Sequence, residues 1–371
     1  MIRHQQSGLR SAASLLTAWL SVACAYPSIG VAQGTPGDSV APPVPAAHAA
    51  EEGPAPADRR PAPPLRFFGP LTTEEAAPLQ RVSYTHTVEG ADLLDAGSLQ
   101  WEMWLGYANI FEQDSAATHD LFLDLERLTT TTGMRYGLHD RLEVGGRLSF
   151  ETTGGGFLDG FISGWHTTLG LGNGNRERYP NGVYEQRLRD GTGAVRLDIP
   201  RRTMALDDVR LFAKWRAWRS EDGGSVLSLR GVTRIPVQDD QVGAQKTDVA
   251  VMAIVRTSDA PWYLHATVGG ATVRAAKEYD GLLRSKAFFM DVALERNLAP
   301  WVSGVVQLSV ASPRLQGFRD PELDGWPVNL VFGVTGKVND HWRVDVSFQE
   351  DIPPNTPAVD FTLGIGVRRA W

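Results

Sequence analysis

The chain has 371 residues with a formal charge of −7, one cysteine, 38 glycines and 23 prolines. A single cysteine excludes a disulfide scaffold and any cysteine-built zinc or iron–sulfur centre, and the acidic balance offers no basic face for a nucleic-acid partner. Mean hydropathy of −0.20, with no apolar run of spanning length beyond the N-terminus, excludes a bundle of membrane helices but not a membrane β-barrel, whose strands are apolar on one face only.

Residues 1–32 carry Arg3 and Arg10, no acidic residue, and a largely apolar stretch from Ala12 to Cys24. That is the charge and hydropathy order of a cleaved secretory signal peptide, with small residues suiting cleavage after Ala25 or Ala32. Residues 33–66 are rich in Pro and Ala and too poor in apolar surface to offset the entropy of ordering; a disordered linker is expected. Residues 67–97 regain apolar side chains (Phe67, Phe68, Leu71, Leu79, Leu93, Leu94) without a clear period and read as a lead-in to the folded domain.

From residue 98 to the end the period is two. Leu99, Trp101, Met103, Leu105 and Tyr107 alternate with Gln100, Glu102, Trp104, Gly106 and Ala108. The same pattern returns over 142–151, 209–217, 227–235, 249–255, 262–268, 288–294, 302–310, 328–338, 342–348 and 361–367. Alternation with one apolar face marks half-buried strands. One segment changes phase: Leu121, Leu123 and Leu125 are odd, whereas Thr130, Met134 and Tyr136 are even, which predicts a bulge between Glu126 and Thr129.

Connections alternate between short (138–140, 219–224, 258–261, 298–300, 339–340) and long (111–117, 152–206, 236–246, 273–283, 313–327, 350–358). About twelve antiparallel strands with short periplasmic turns and long extracellular loops are the pattern of a transmembrane outer-membrane barrel. A further hairpin, 183–189 with 194–199, would raise the count to fourteen or stand above the rim. A soluble β-sandwich also alternates, but three features favour the membrane. Trp218, Trp262, Trp301, Trp326, Trp342 and Trp371 recur near strand ends, as interfacial aromatic belts do. The face opposite the apolar one carries Arg147, Arg210, Lys214, Arg216, Arg230, Arg234, Asp291, Glu295, Arg343 and Asp345, too much charge for a dry core. The last strand ends in Trp371, which is similar to the terminal signal read by the barrel-assembly machinery, although Arg369 stands where an apolar residue is usual.

The stretch from Gly154 through His166, then Leu169-Gly170-Leu171-Gly172-Asn173-Gly174, is unlike an ordinary loop. Together with Glu350-Asp351, Asn355-Thr356 and Asp360-Phe361-Thr362-Leu363, it resembles an uncharacterised bacterial family, domain of unknown function 3187, over roughly residues 97–371. The resemblance implies an outer-membrane protein and brings no settled activity. Phe157, Leu158, Phe161, Ile162, Trp165 and Leu169 fall at helical spacing, so the long loop starts with a short amphipathic helix. Asp159, Ser163 and His166 cluster on another of its faces. The helix either packs on the rim or forms a gate.

No catalytic constellation stands out. A barrel lipase needs a strand His with Ser two residues on, but Thr267 follows His265 and Leu121 follows His119. An omptin-like protease needs acidic and Asp–His pairs at one rim, whereas Asp239-Asp240 and Asp340-His341 fall at opposite ends, ~25 Å apart. No phosphate loop, nucleophile elbow or metal spacing is present, so no enzyme, cofactor or metal is expected. The inward charges leave two possibilities. Arg147, Arg210, Arg230 and Arg234 pair with Glu143, Asp291, Glu295 and Asp345 and fill the interior, or the basic groups attract anionic solutes. The candidate lumen and gate residues are therefore Arg147, Asp159, His166, Arg210, Lys214, Arg230, Arg234, Asp291, Glu295 and Asp345. The expected function is a narrow or gated channel for small solutes; a structural or interaction barrel is the alternative, and a hydrolase a weaker third. Expected partners are outer-membrane lipid, the assembly machinery through Trp371, and small anionic solutes.

Overall fold

A computed structural model describes residues 68–170, 176–197, 201–237, 246–274, 281–352, 359 and 361–371. The expected signal peptide and linker lie outside these residues, as do Asp239, Asp240, Asn355, Thr356 and Asp360.

Twelve antiparallel strands close into one barrel: β1 (Leu99–Ala116), β2 (His119–His139), β3 (Leu142–Gly154), β6 (Arg202–Arg219), β7 (Ser225–Pro236), β8 (Asp248–Asp259), β9 (Trp262–Thr272), β10 (Lys286–Ala299), β11 (Val302–Ala311), β12 (Val328–Lys337), β13 (Trp342–Asp351) and β14 (Phe361–Ala370). Each pairs with its chain neighbour, and β1 pairs with both β14 and β2, so the wall has no open edge. The extra hairpin exists as β4 (Glu185–Asp190) and β5 (Val195–Leu197). It does not enter the wall: β4 pairs with the upper end of β2, from His119 to Asp124.

The apolar face of the alternation points outward. Leu211, Val251, Val268, Phe288, Met290 and Ile365 are exposed on the outside, which makes the outer strand surface apolar, as in a transmembrane barrel. Exposed Trp215, Trp218, Trp262, Trp301 and Trp371 gather at the short-turn end. Most inward positions are polar or small, and some are glycine to admit a neighbouring inward ring. A Cβ on Gly145 would lie 2.4 Å from the Phe212 ring, and one on Gly269 2.4 Å from Phe289.

Two local expectations need correction. The ladder between β1 and β2 runs from Leu99↔Tyr136 to Ala116↔His119 with no register shift, so the bulge between Glu126 and Thr129 is absent. Odd residues of β2 face inward throughout; the apolar residues change face instead. Leu121, Leu123 and Leu125 point in and join a buried cluster with Ala77, Leu79, Val82, Leu315 and Phe318, while Met134 and Tyr136 lower down point out and are exposed. For the same reason residues 111–117 are not a long loop. The strands continue above the rest of the rim, and the inward apolar side chains of their upper ends are covered from within.

Candidate functional site

The lumen is filled by residues 68–97. Proline and mixed polarity give this segment little secondary structure of its own: one short helix, α1 (Pro78–Arg81), with Pro78 in its first turn, and one antiparallel bridge between Glu74 and Thr87. It ascends from the short-turn end, turns at α1 near the long-loop end, and descends to β1. Phe68 lies beside Glu295, Thr73 beside Gln307, Arg81 beside Asp207, Thr87 beside Arg210, and Asp92 beside Arg256.

An irregular buried backbone cannot leave its N–H and C=O groups unpaired. Here the barrel wall supplies partners through its side chains. Glu295 accepts from the N–H groups of Phe68 (2.7 Å) and Gly69 (3.0 Å). Asp248 accepts from Tyr84 N–H (2.9 Å) and Glu143 from Leu94 N–H (2.9 Å). Carbonyls are taken by Arg127 (Ala76, 2.7 Å), Ser228 (Ala91, 2.6 Å) and Lys214 (Gly90, 3.3 Å; Asp92, 3.0 Å) of the wall, and by Arg314 (Tyr84, 3.1 Å) of the loop that follows β11. The inward charge of the strands is thus the hydrogen-bonding lining for a plug. A void beside it, lined in part by Thr72, Glu74, Thr87, Thr131 and Arg147, measures about 10 Å³, room for about one water molecule.

Six of the ten predicted residues touch the plug directly. Arg210 reaches Glu74 (3.4 Å) and Thr87 (3.2 Å) while its Nε lies 2.9 Å from Asp208. Arg147, Arg230 and Lys214 surround the Glu89 carboxylate at 3.5, 3.3 and 3.6 Å. Asp291 meets His86 at 2.7 Å, and Glu295 holds Phe68 and Gly69. Two act at one remove. Arg234 bonds Asp208 (2.8 Å) and lies 3.4 Å from Asp248, which holds Tyr84 N–H; Asp345 pairs with Arg368, which donates to Thr72. The four expected arginines therefore do not pair with Glu143, Asp291, Glu295 and Asp345. Arg147 takes Glu102 and Glu89, and Glu143 is taken by Arg135.

Asp159 and His166 are not lumen residues. They lie on α2 (Asp159–Leu169), which packs on the outer side of the rim. In β13 the polar residues Asp345, Ser347 and Gln349 are buried and Val346 is exposed, so Phe348 points outward. Trp165 of α2 lies 5.4 Å from Phe348, and Phe161 lies 5.7 Å from Phe361. An amphipathic helix goes where its apolar stripe is covered, and here outward aromatic rings cover it. Asp159 is a staple there: it accepts from Asn109 (2.9 Å), Arg176 (2.8 Å) and Gly182 N–H (2.7 Å). His166 lies 3.2 Å from Glu350.

Glu74, Glu89, Asp92 and His86 went unrecognised as site residues in the sequence. The usable signal was acidity: a short stretch carrying Glu74, Glu75, Glu89, Asp92 and Asp95 precedes strands whose hidden face is rich in arginine. Among the described residues, Asp114, His119 and Asp320 could hold a cation, with one ligand atom from each lying within 4.8 Å of the others. They join the β1–β2 hairpin to the 312–327 loop, where burial and the neighbouring Asp114 and Asp320 push the Glu322 carboxyl up to about 8.

Residues 64–371 match the family described as Protein of unknown function (DUF3187). The chain belongs to the DUF3187 family. The match takes in the plug as well as the wall, beyond the 97–371 that carried the resemblance in sequence. No curated protein matches the chain by sequence. Among solved structures, an outer membrane channel from Pseudomonas putida F1 is similar at 12% identity and a TM-score of 0.48, over 76% of this chain and 98% of that one. The NanC porin is similar at 8% identity and a TM-score of 0.42, over 72% and 98%. A KdgM porin in complex with disordered oligogalacturonate is similar at 5% and 0.38, over 74% and 99%. These are distant likenesses of fold, and no cargo follows from them for this DUF3187 barrel.

Proposed function

We propose that the protein is an outer-membrane channel held closed by residues 68–97, which passes small solutes when that plug yields. One observation carries this reading. No strand of the plug joins the wall sheet; wall side chains hold it through hydrogen bonds and ion pairs, which water can replace without breaking a wall ladder. The wall beside the descending limb carries Arg147, Arg210, Lys214, Arg230 and Arg234, so small anionic solutes are the favoured cargo. A permanent structural filling is the second reading, favoured by the apolar seat of Ala77, Leu79 and Val82 against Leu121, Leu123 and Leu125. Planar-bilayer recording separates the two. The full chain should show rare openings and the chain lacking residues 68–97 a steady current. A folded deletion barrel without current would overturn the channel reading, and a full chain silent at every voltage would favour the structural one.

The same reading takes the chain to the outer membrane by the signal in 1–32, with 33–66 as a linker. Its wall is then finished by the assembly machinery through the last strand. Trp371 N–H donates to Leu99 O at 2.9 Å, one step beyond the Gln100↔Ala370 pair that closes the barrel. Deleting Trp371 should lower the yield of heat-modifiable, folded barrel in the outer membrane, because a terminal strand that is not captured leaves an open edge. Unchanged yield would mean that the terminal aromatic residue is not used.

A further inference from the structure

Glu89 is the plug residue that meets the densest group of wall cations. Its Oε1 lies 3.3 Å from Arg230 Nε and 3.6 Å from Lys214 Nζ, and its Oε2 lies 3.5 Å from Arg147 Nη2. The three cationic side chains are 2%, 0% and 4% exposed. They come from three neighbouring strands, β7, β6 and β3, and Lys214 and Arg230 are direct partners in the ladder. Phe212 braces both guanidinium groups, whose Cζ atoms lie 4.1 Å (Arg230) and 5.4 Å (Arg147) from its ring centroid. The cradle therefore belongs to the rigid wall, and its occupant belongs to the removable plug.

The occupant fits it poorly. Charge-assisted hydrogen bonds to a carboxylate run at about 2.7–2.9 Å, and all three contacts are longer. Glu89 Oε1 and Arg230 Nε make no hydrogen bond at all. Two other carboxylates face the cradle: Glu102 on Arg147 Nε and Glu143, 3.6 Å from Lys214. Glu143 is itself held by Arg135, Arg147 keeps Glu102 through its Nε, and Lys214 donates to the Gly90 and Asp92 carbonyls of the plug, so Arg230 is the cradle cation that Glu89 serves least, and a departing plug would take the partners of Lys214 with it. A tetrahedral oxyanion presents more oxygens over a wider radius, and guanidinium forks match its geometry.

We propose that Arg147, Lys214 and Arg230 form an internal site for a phosphate-type oxyanion, which Glu89 occupies as a tethered stand-in while the barrel is closed. The site rests on the gated-channel reading and narrows its cargo to solutes bearing such a group. In the closed barrel the Glu89 carboxylate and the free anion compete, so anion binding and plug release are coupled.

The test uses the full-length barrel in lipid vesicles, with inorganic phosphate as the probe and chloride at matched ionic strength as the control. Titration calorimetry should find phosphate binding to the Glu89→Ala variant at least about tenfold tighter than to the wild type, the scale of one charge-assisted hydrogen bond. Adding Arg230→Gln should abolish that gain. Equal binding by wild type and Glu89→Ala, or binding unaffected by Arg230→Gln, would overturn the site. If Glu89→Ala does not fold, planar-bilayer recording of the wild type decides: phosphate should raise opening frequency above chloride, and the Arg230→Gln variant should lose that difference. No difference between the anions overturns the site. Conduction without phosphate binding removes the oxyanion site and leaves the gate; phosphate binding to a barrel that never conducts removes the gate and leaves the site.

Discussion

Replacing Arg210 with alanine is expected to destabilise the folded barrel by about 3–5 kcal/mol, the range for removing one partner of a buried ion pair. Arg210 is 3% exposed and ties the plug to the wall at mid-height: it touches Glu74 and Thr87 on the two limbs of the plug and Asp208 on its own strand. Without it Asp208 keeps Arg234 and Glu74 keeps the hydroxyls of Thr131 and Thr87, which places the expected loss at the lower end of that range. Urea unfolding in lipid vesicles, followed by tryptophan fluorescence, measures it. The Glu74→Gln/Arg210→Ala double variant should lose less than the two single losses added together, because the charge left uncompensated by one change is removed by the other. A loss below about 1 kcal/mol, the value of an exposed pair, would mean that the apolar seat around α1 alone holds the plug.

Arginine at two adjacent positions of β8 should produce two different failures. Val251 is 65% exposed, outward and mid-strand, and arginine in the middle of a bilayer costs about 2–4 kcal/mol. Val251→Arg should therefore lower folded yield and stability. From the sequence its neighbour Ala250 reads as the milder site, since it shares a face with Asp248 and Arg256. The packing adds a steric cost there and a different consequence. Ala250 is 1% exposed and sits in a cluster with Tyr84 and Ala91 of the plug and Phe212, Val232 and Met252 of the wall. Arginine there has no room while the plug is in place; overpacking costs about 1–3 kcal/mol, and the easiest relief is to expel the descending limb. Ala250→Arg should insert normally and conduct, and a silent, stable Ala250→Arg barrel would contradict a displaceable plug. A Val251→Cys variant completes the pair. Its thiol should react with a lipid-soluble reagent and resist a water-soluble one; reaction with neither would mean that protein, not lipid, covers the outer face.

The wall of this barrel was legible in the sequence because its cause is local. Each strand has an apolar outer face on one side and the lumen on the other, so every second residue reports its own surroundings, and the chain from Leu99 to Trp371 spells out faces, turns and the closing strand. That logic fails where the surroundings change along one strand. Leu121, Leu123 and Leu125 looked out of phase with Met134 and Tyr136, yet the backbone keeps its register and the apolar material crosses from inside to outside. It also fails for α2, whose stripe is equally satisfied in the mouth of the barrel or on its outer rim; the outward rings of Phe348 and Phe361 decide that, far along the chain from Trp165 and Phe161. Above all, only the tertiary structure decided what fills the lumen. The plug has no period because its backbone takes its partners from side chains far along the chain. Glu295 is 227 residues from Phe68, and Arg210 is 136 from Glu74. A hydrogen bond made at that separation leaves no mark on either segment beyond a charge facing inward.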